Sequence, residues 1–395
     1  MAIHINTMHS SEVEVRYLYV NKDCGSVAGV WPYANKQRKW ICRTAMIFIA
    51  ITSLITQIAK VIIDLSVDSL IEQCPFLVIA LGIIIKETNY IIHEEELKSV
   101  FGFLFKDWMM DRPKDEFDIM DKYAKRGLFF SRLYVANGCF CYIIFTLVAV
   151  TPRILDIVSP RNESRGVGFI YPAYYALDEE EHYYIILAHM LSVITVTFFV
   201  YISCDSIYMT IIQHACGLLN VTGYRFLSAV QDTDKNGNMK VADEEYQKVC
   251  FSVKAHQHAM EYIGMIERMH DSYLFLVVTL IILSFSITLV KATTMEPSVE
   301  FYKYCGFLVV QLVHLLFLSI QGYFIIMAHD NVYNNIYNGL WYLSTAKTQA
   351  LYALALRRNL TPPLLTAGGI MTLDLESFSE ILKASVSYCT VLKSS

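Results

Sequence analysis

Charged residues are scarce in this chain: only 17% of its 395 residues are Asp, Glu, Lys or Arg, whereas 55% are hydrophobic. Soluble domains carry about 25% charged residues, so the composition excludes an ordinary soluble fold. The formal net charge of −5 leaves no basic excess, which argues against nucleic acid as a partner. The composition therefore predicts a protein that crosses the membrane several times and is surrounded by lipid.

Catalytic and cofactor motifs are also missing. The sequence has no phosphate-binding glycine loop, no HExxH motif and no nucleophile elbow, so we expect neither an enzyme nor a cofactor. Residues 1–33 are polar and do not begin with a basic segment followed by an apolar one, so we expect no secretory signal peptide. The ten cysteines are scattered and several lie inside apolar runs, which does not suggest a disulfide framework.

Two local patterns bear on metal binding. The stretch Asp232–Asp243 has oxygen-bearing side chains at alternate positions before Gly237, as calcium-binding loops do, but it ends on Asp rather than on the longer Glu. No second loop of this type exists to pair with it, so we interpret it as a solvated acidic turn. His256, His258 and Glu261 fit no strong zinc spacing, and we predict an exposed helical face and no metal site there.

Seven runs are apolar enough to cross a bilayer, which takes about 20 residues in a helix. They are Trp40–Ile63, Cys74–Ile92, Leu128–Val150, Tyr183–Ile212, Tyr273–Val290, Tyr304–Ala328 and Ile370–Leu392. The last run is the weakest because it contains Glu380, Lys383 and several hydroxyl side chains. The sequence therefore predicts an all-α polytopic membrane protein with seven transmembrane helices.

The distribution of basic residues indicates the orientation. Residues 93–127 and 213–270 are rich in Lys and Arg, whereas residues 64–73 have none and residues 151–182 carry an acidic excess. Because basic loops stay in the cytosol, we expect a cytosolic N-terminus and an extracellular C-terminus. Asn162 lies in an Asn-Glu-Ser sequon in a loop predicted to be outside, and we expect it to be the glycosylated position.

Aromatic and weakly polar residues are dense in the outer halves of the spans. An apolar cavity with a few polar groups suits a small, largely apolar ligand. We expect such a cavity in the region of the following residues: Phe76, Ala80, Tyr142, Phe145, Thr146, His189, Val193, Val196, Tyr304, Leu308 and Gln311. Each position taken alone also fits a plain bundle core, so the prediction is a region rather than a set of contacts.

Two ionisable residues lie at membrane depth, Asp205 in the fourth span and His314 in the sixth. Such residues are costly in lipid and often mark functional positions. A functional role and a structural hydrogen bond between helices are equally open for both.

The C-terminal stretch contains a set of distinctive residues: Tyr337, Trp341-Tyr342, Pro362-Pro363, Thr366-Ala367-Gly368, Leu373, Phe378, Ser387-Tyr388 and Val391-Leu392. In these residues it resembles the insect odorant receptor family. Weaker matches are His214, Cys216-Gly217 and Gln321-Gly322. The seven inverted spans extend the resemblance to the full length, but only the C-terminal stretch is specific.

The resemblance implies a ligand-gated, non-selective cation channel opened by a small volatile. It implies a tetramer formed with the shared odorant receptor co-receptor, in the plasma membrane of an olfactory sensory neuron dendrite. It also implies two regions: residues 1–330 hold the pocket in the first six spans, and residues 331–395 form a cytosolic anchor segment and the pore helix. The loop between the fourth and fifth spans is shorter than in the co-receptor, which favours a tuning subunit.

The same resemblance places Val391 at the hydrophobic constriction of the pore. Ser387, Val391 and Ser395 are spaced four residues apart and therefore share one face of a helix. Relatives have an apolar residue where this chain has Ser395, so we expect Val391 to form most of the barrier.

Three other classes compete with this interpretation. A gustatory-type receptor channel would end with a Tyr…Gln-Phe signature, whereas Tyr388 is followed here by Cys-Thr-Val-Leu-Lys. A G-protein-coupled receptor has the opposite orientation and carries an acidic-Arg-Tyr triplet that this chain lacks. A secondary transporter would show paired repeats and helices broken near mid-membrane, and the sequence contains neither.

Overall fold

The computed structural model describes residues 7–159, 166, 168–230, 239–297 and 299–394. Within these ranges the chain is almost entirely helical, with one short pair of antiparallel strands. The elements are α1 (Ser10–Tyr17), α2 (Tyr19–Ala28), α3 (Lys36–Asp64), α4 (Val67–Ile92), α5 (Glu94–Met109), α6 (Lys114–Val158), α7 (Tyr183–Ser228), α8 (Met239–Thr294), α9 (Val299–Asn338), α10 (Ala346–Arg358), β1 (Thr366–Ala367), β2 (Met371–Thr372) and α11 (Leu375–Ser394).

Six of these helices are long and apolar enough to cross a membrane: α3, α4, α6, α7, α8 and α9. Helix α11 is the seventh, with 20 residues and a more polar composition. The predicted all-α fold with seven spanning helices is confirmed. Helix α3 carries exposed Phe48, Ile55 and Ile62, and this apolar outer surface suits contact with lipid.

The long helices extend well past the predicted spans. Helices α6, α7 and α8 have 45, 46 and 56 residues, against the roughly 20 that a bilayer needs. Residues 93–127, which we treated as a loop, are therefore largely helical, and residues 94–109 form α5. In α5 the exposed face carries Glu95 and Glu96, whereas the buried face is mostly apolar, with Leu97, Phe101 and Trp108.

Helix α7 is the centre of the bundle. Every residue from 202 to 223 is buried, so this helix is covered on all sides by protein. An all-round buried helix is expected only where neighbours pack on every face, and α7 contacts α2, α6, α8 and α9. The core of the molecule therefore lies along α7.

The chain between α10 and α11 is not helical. Strands β1 and β2 pair around Gly368 and Gly369, whose φ angles of 67° and 64° are left-handed and favour glycine. The predicted seventh run begins at Ile370, but the helix begins at Leu375 because this hairpin occupies the preceding residues. Asp374 caps this helix, because its side chain accepts a hydrogen bond from the backbone N–H of Ser377 at 2.7 Å.

The hairpin is anchored to α8 and α9. The side chain of Asp271 accepts hydrogen bonds from the Thr366 hydroxyl at 2.8 Å and from the Gly369 backbone N–H at 2.9 Å. On α9, Gly322 lies so close to the carbonyl oxygen of Leu373 that an added Cβ would be 1.7 Å from it. The N-terminus of α11 is therefore fixed in position by its contacts with α8 and α9.

Candidate functional site

A cavity of about 200 Å³ lies between α3, α4, α6, α7, α8 and α9, at the end of the bundle where the α6–α7 connection packs. Six of the eleven residues predicted to lie around a ligand line it: Phe76, Ala80, Tyr142, Phe145, Val193 and Gln311. The structure thus brings together residues from four separate helices that are distant in sequence. No other predicted position of that set reaches the lining among the described residues.

The remaining five positions lie beside the cavity. The Thr146 hydroxyl donates to the Tyr142 carbonyl at 2.8 Å, and Val196 and Tyr304 are buried in the helix packing. His189 lies 3.0 Å from the Thr52 hydroxyl and 2.8 Å from the Tyr175 hydroxyl, so it holds α3 and the α6–α7 connection together. The predicted positions that do not line the cavity are therefore Thr146, His189, Val196, Tyr304 and Leu308.

Helix rotation accounts for the difference on α9. The residues of α9 that line the cavity are Phe307, Val310, Gln311 and His314, one helical face with a spacing of three or four. The sequence prediction placed Tyr304, Leu308 and Gln311 toward the ligand. That face of the helix is rotated by about one residue position from the face that lines the cavity. Periodicity alone does not determine rotation that finely.

Aromatic rings form much of the wall. The ring of Phe307 lies 5.5 Å from that of Phe76 and 6.1 Å from that of Phe145, measured between centroids. Phe76 also lies 6.0 Å from Tyr171, which the α6–α7 connection contributes. The sequence prediction missed Tyr171, and also Ser53 on α3, because it took residues only from the second, third, fourth and sixth spans.

Two carboxamides supply polar groups on this wall. The Gln57 side-chain N–H donates to the Ser53 hydroxyl at 2.9 Å, and that hydroxyl lies 3.3 Å from the Tyr171 hydroxyl. The Gln311 side-chain N–H donates to the Ser284 hydroxyl of α8 at 2.6 Å. The cavity thus combines apolar walls with a few fixed polar groups, which is the usual composition of a small-ligand site.

A buried ionic cluster closes one end of the cavity. Lys86 donates to the Asp205 carboxylate and, at 2.9 Å, to the Tyr273 hydroxyl. Asp205 also accepts from the Tyr134 hydroxyl at 2.7 Å, and His314 Nε2 lies 3.3 Å from it. Tyr134 and His314 line the cavity. The two membrane-depth residues noted in the sequence therefore belong to one cluster.

Lys86 is the member that sequence reasoning missed. Its side chain is fully buried, and its ammonium lies 4.7 Å from the centre of the Tyr201 ring, another lining residue. The sequence did contain the information needed to find it. Lys86 lies inside the apolar run 74–92, and Asp205 was selected because it is an ionisable residue in such a run.

A second buried cluster lies at the opposite end of the bundle. Asp107 of α5 lies 3.0 Å from His214 of α7 and 2.8 Å from His258 of α8. Burial alone would raise the pKa of the Asp107 carboxyl, but its hydrogen bonds with the two histidines hold that pKa well below the usual range. The predicted exposed histidine face is wrong for His256, which is buried with its ring 6.4 Å from that of His329.

Helix α11 has a buried and an exposed face. Ile381, Ser385 and Cys389 are buried against α8 and α9, whereas Ser387 and Val391 are exposed. The predicted pore positions therefore lie on the side that this single chain leaves uncovered. The other positions predicted from sequence lie outside the described residues: Ser395, Asn162 and residues 232–238 of the acidic turn.

Long apolar helices around an apolar cavity define a polytopic helical membrane protein. The sequence model of the 7tm Odorant receptor family matches residues 66–386. The chain therefore belongs to the odorant receptor family. No curated protein sequence matches it.

Solved structures of an insect olfactory receptor share the fold. The structure of OR5 from Machilis hrabei in complex with eugenol has a TM-score of 0.79 at 13% identity, covering 96% of this chain and 99% of that one. The structure of the same receptor described without eugenol has a TM-score of 0.77 at 12% identity, covering 96% and 97%. The likeness therefore extends over the whole architecture.

Proposed function

We propose that this chain is an odorant-binding subunit of a ligand-gated cation channel. The observation that carries the proposal is the aromatic cavity of about 200 Å³ between the spanning helices. An apolar cavity of about 150 Å³ is large enough to hold benzene, so this one suits a small volatile molecule. The fold shared with a receptor solved in complex with eugenol supports the same ligand size.

The cavity belongs to the outer half of the bundle in the proposed orientation. The basic segments around α5 and at the start of α8 are cytosolic in this arrangement, and the N-terminus is cytosolic too. The C-terminus is then extracellular, the reverse of a G-protein-coupled receptor. Antibody labelling of a C-terminal tag on intact cells tests this, and labelling only after permeabilisation contradicts it.

The exposed face of α11 forms the pore wall in the proposed assembly. Val391 is 63% exposed in the single chain, and Ser387 lies one turn away on the same face. Rings of apolar side chains block ion flow by excluding water, whereas hydroxyls do not. Val391 is therefore the proposed gate, with Ser395 further out. Residues 331–395 act as the anchor and pore region, and residues 1–330 hold the ligand.

Helix α9 is the proposed route from ligand to pore. It lines the cavity with Phe307 and Gln311 and then touches Leu373, the residue before the α11 cap, at Gly322. A ligand shifts a conformational equilibrium only by its difference in affinity between the two states. A volatile that prefers the α9 position of the open state would thus draw α11 away from the pore axis.

The functional unit is the heteromer with the odorant receptor co-receptor, in the plasma membrane of an olfactory neuron dendrite. The test is whole-cell current in cells that express this chain with and without an insect co-receptor, challenged with a panel of volatiles. We expect cation current that needs both chains and persists when G-protein signalling is blocked. Silence from a chain labelled at the cell surface, or flux without single-channel steps, contradicts the proposal.

A further inference from the structure

Two buried carboxamide oxygens on the cavity wall have no hydrogen-bond partner among the described residues. They are Oε1 of Gln57 and Oε1 of Gln311. Both side chains line the cavity, and their residues are only 2% and 9% exposed. Each amide is held by its other end, through Ser53 and Ser284 respectively. The unpaired oxygens are therefore fixed in position.

A buried polar atom without a hydrogen bond in a largely apolar cavity is destabilising, and a bound molecule that hydrogen-bonds to it removes this cost. Nine-tenths or more of buried polar groups in proteins are hydrogen-bonded, and leaving one unpaired is costly. A water molecule would need two to four polar neighbours to be held in such a place. A ligand whose apolar part packs on the rings of Phe76, Phe145 and Phe307 is held without several polar neighbours, so a ligand with a hydrogen-bond donor suits this site better.

The position of Gln311 relative to the aromatic wall indicates which amide is used. Gln311 follows Phe307 by four residues on α9, so both side chains project from one face of the helix. A ring or short chain packed against Phe76, Phe145 and Phe307 then carries its polar substituent toward Gln311. Gln57 belongs instead to the polar group formed with Ser53 and Tyr171.

We infer that the cavity is built for small neutral alcohols or phenols, whose hydroxyl donates to Oε1 of Gln311. This rests on the proposed function as an odorant-binding subunit. A hydroxyl supplies the hydrogen that Oε1 of Gln311 lacks. A ketone, ester or ether accepts only and leaves the oxygen unpaired. Lys86 and Asp205 near the cavity already pair with each other, so they do not require a charged ligand.

The test compares matched compounds that differ at one group. Each set contains an alcohol, its methyl ether and the hydrocarbon with a methyl group in place of the hydroxyl, such as 2-phenylethanol, its methyl ether and propylbenzene. Two readouts are used: current with the co-receptor, and the shift in Tm of the purified chain in detergent. We expect the alcohols to act at concentrations about tenfold lower than their ethers, the effect of about one buried hydrogen bond.

The variants Gln311→Met and Gln57→Met show which of the two amides binds the hydroxyl of the ligand. We expect Gln311→Met to remove the preference for alcohols while the responses to ethers and hydrocarbons persist, which also shows that the variant is folded. Gln57→Met should keep the preference. If Gln311→Met does not reach the cell surface, Gln311→Asn replaces it. Asparagine keeps the amide group, but its shorter side chain does not bring the oxygen to the position of Oε1. This variant should therefore also lose the preference for alcohols.

The outcomes separate the ligand class from the function. Equal potency of alcohols, ethers and hydrocarbons overturns the ligand class and leaves the channel proposal standing. A preference lost in Gln57→Met but kept in Gln311→Met overturns the assignment to Gln311. A preference kept in both variants does the same, because another group or a bound water then pairs with the hydroxyl. Neither current nor a Tm shift from any compound, with surface delivery established, overturns both proposals.

Discussion

Lys86 of α4 and Asp205 of α7 form an ion pair in which both side chains are almost completely buried, at 0% and 1% exposure. Both helices are spanning helices, so the pair lies where neither lipid nor bulk water can solvate it. Removing two charges from water costs several kcal/mol per ion, and mutual attraction offsets this only when hydrogen bonds satisfy the remaining atoms. The tyrosine hydroxyls around the pair provide them. The pair therefore fixes α4 against α7 beneath the cavity.

Breaking this pair should be strongly destabilising. We expect Lys86→Met or Asp205→Leu alone to lower the free energy of unfolding by about 3–5 kcal/mol, because each leaves one buried charge without a partner. The double variant Lys86→Met/Asp205→Leu should recover most of the loss, since it removes both charges. Thermal unfolding in detergent and surface labelling measure this. Single variants as stable as the wild type, or a double variant no better than either, would contradict the role of the pair.

The close approach at Gly322 should be intolerant of a methyl group. Alanine is favoured over glycine in a helix by about 1 kcal/mol, but at Gly322 it meets the Leu373 carbonyl oxygen. We expect Gly322→Ala to lower stability by about 1–3 kcal/mol through backbone displacement and to alter gating, because α11 begins just beyond this point.

Gly306 is the matched control for that experiment. It lies on the same helix and an added Cβ would meet nothing within 4 Å. Gly306→Ala should be neutral or slightly stabilising. Equal stability and equal agonist dose–response curves for the two alanine variants would show that the contact with Leu373 is unimportant.

Glu94 should contribute a pH-dependent part of the stability. Burial alone would raise its pKa, but hydrogen bonds with Lys39, Arg43 and Lys98 lower it to about 2 from 4.5. A depressed carboxyl pKa stabilises the folded state above pH 4.5, and this stability is lost as the pH falls from there toward 2. The site is partly exposed, so we expect Glu94→Gln to cost about 1 kcal/mol at neutral pH. The Tm of this variant should then depend less on pH within that window.

Glu95 is the control for this titration. It is the next residue along the chain, and its side chain is 81% exposed. Glu95→Gln should leave both the neutral stability and the acid transition nearly as in the wild type. If Glu94→Gln and Glu95→Gln gave the same Tm-against-pH profile, the three cations around Glu94 would not be the cause.

If Val391 forms the gate, shortening its side chain should increase the ion current that flows without ligand. In channels formed with the co-receptor, Val391→Ala should increase the current without ligand several-fold, because a narrower side chain excludes water less effectively. Val386→Ala is the control: Val386 is also exposed on α11, but the helix turns it well away from Val391. Unchanged leak and ligand response in Val391→Ala would count against Val391 as the constriction.

Much of the fold was predictable because membrane solvation is a strong constraint. Runs of apolar residues identified all seven spanning helices. The hairpin before α11 was not predicted, since the same residues 370–374 are apolar enough to continue a helix. The helical structure of residues 93–127 was also missed, because their charged residues resemble those of a loop.

The site was predicted only as a region. Gln311 and Phe145 line the cavity as expected, whereas Tyr304 is turned into the helix packing. Helix rotation depends on how α7, α8 and α9 interlock, and no local pattern in α9 contains that information. The contribution of Tyr171 depends on the fold of an irregular segment. Such segments carry no periodicity, so sequence reasoning had no basis for including it.

The complete burial of α7 between residues 202 and 223 has a consequence for biosynthesis. Synthesis proceeds from the N-terminus, so α7 leaves the ribosome before α8 and α9, which cover two of its sides. Until they arrive, Lys86 lacks its partner Tyr273 of α8, Asp205 lacks nearby His314 of α9, and Gln213 lacks Gln321 of α9. The half-made chain therefore exposes polar groups in its membrane-inserted centre. We therefore expect the folding of α7 to depend on how quickly α8 and α9 are synthesised.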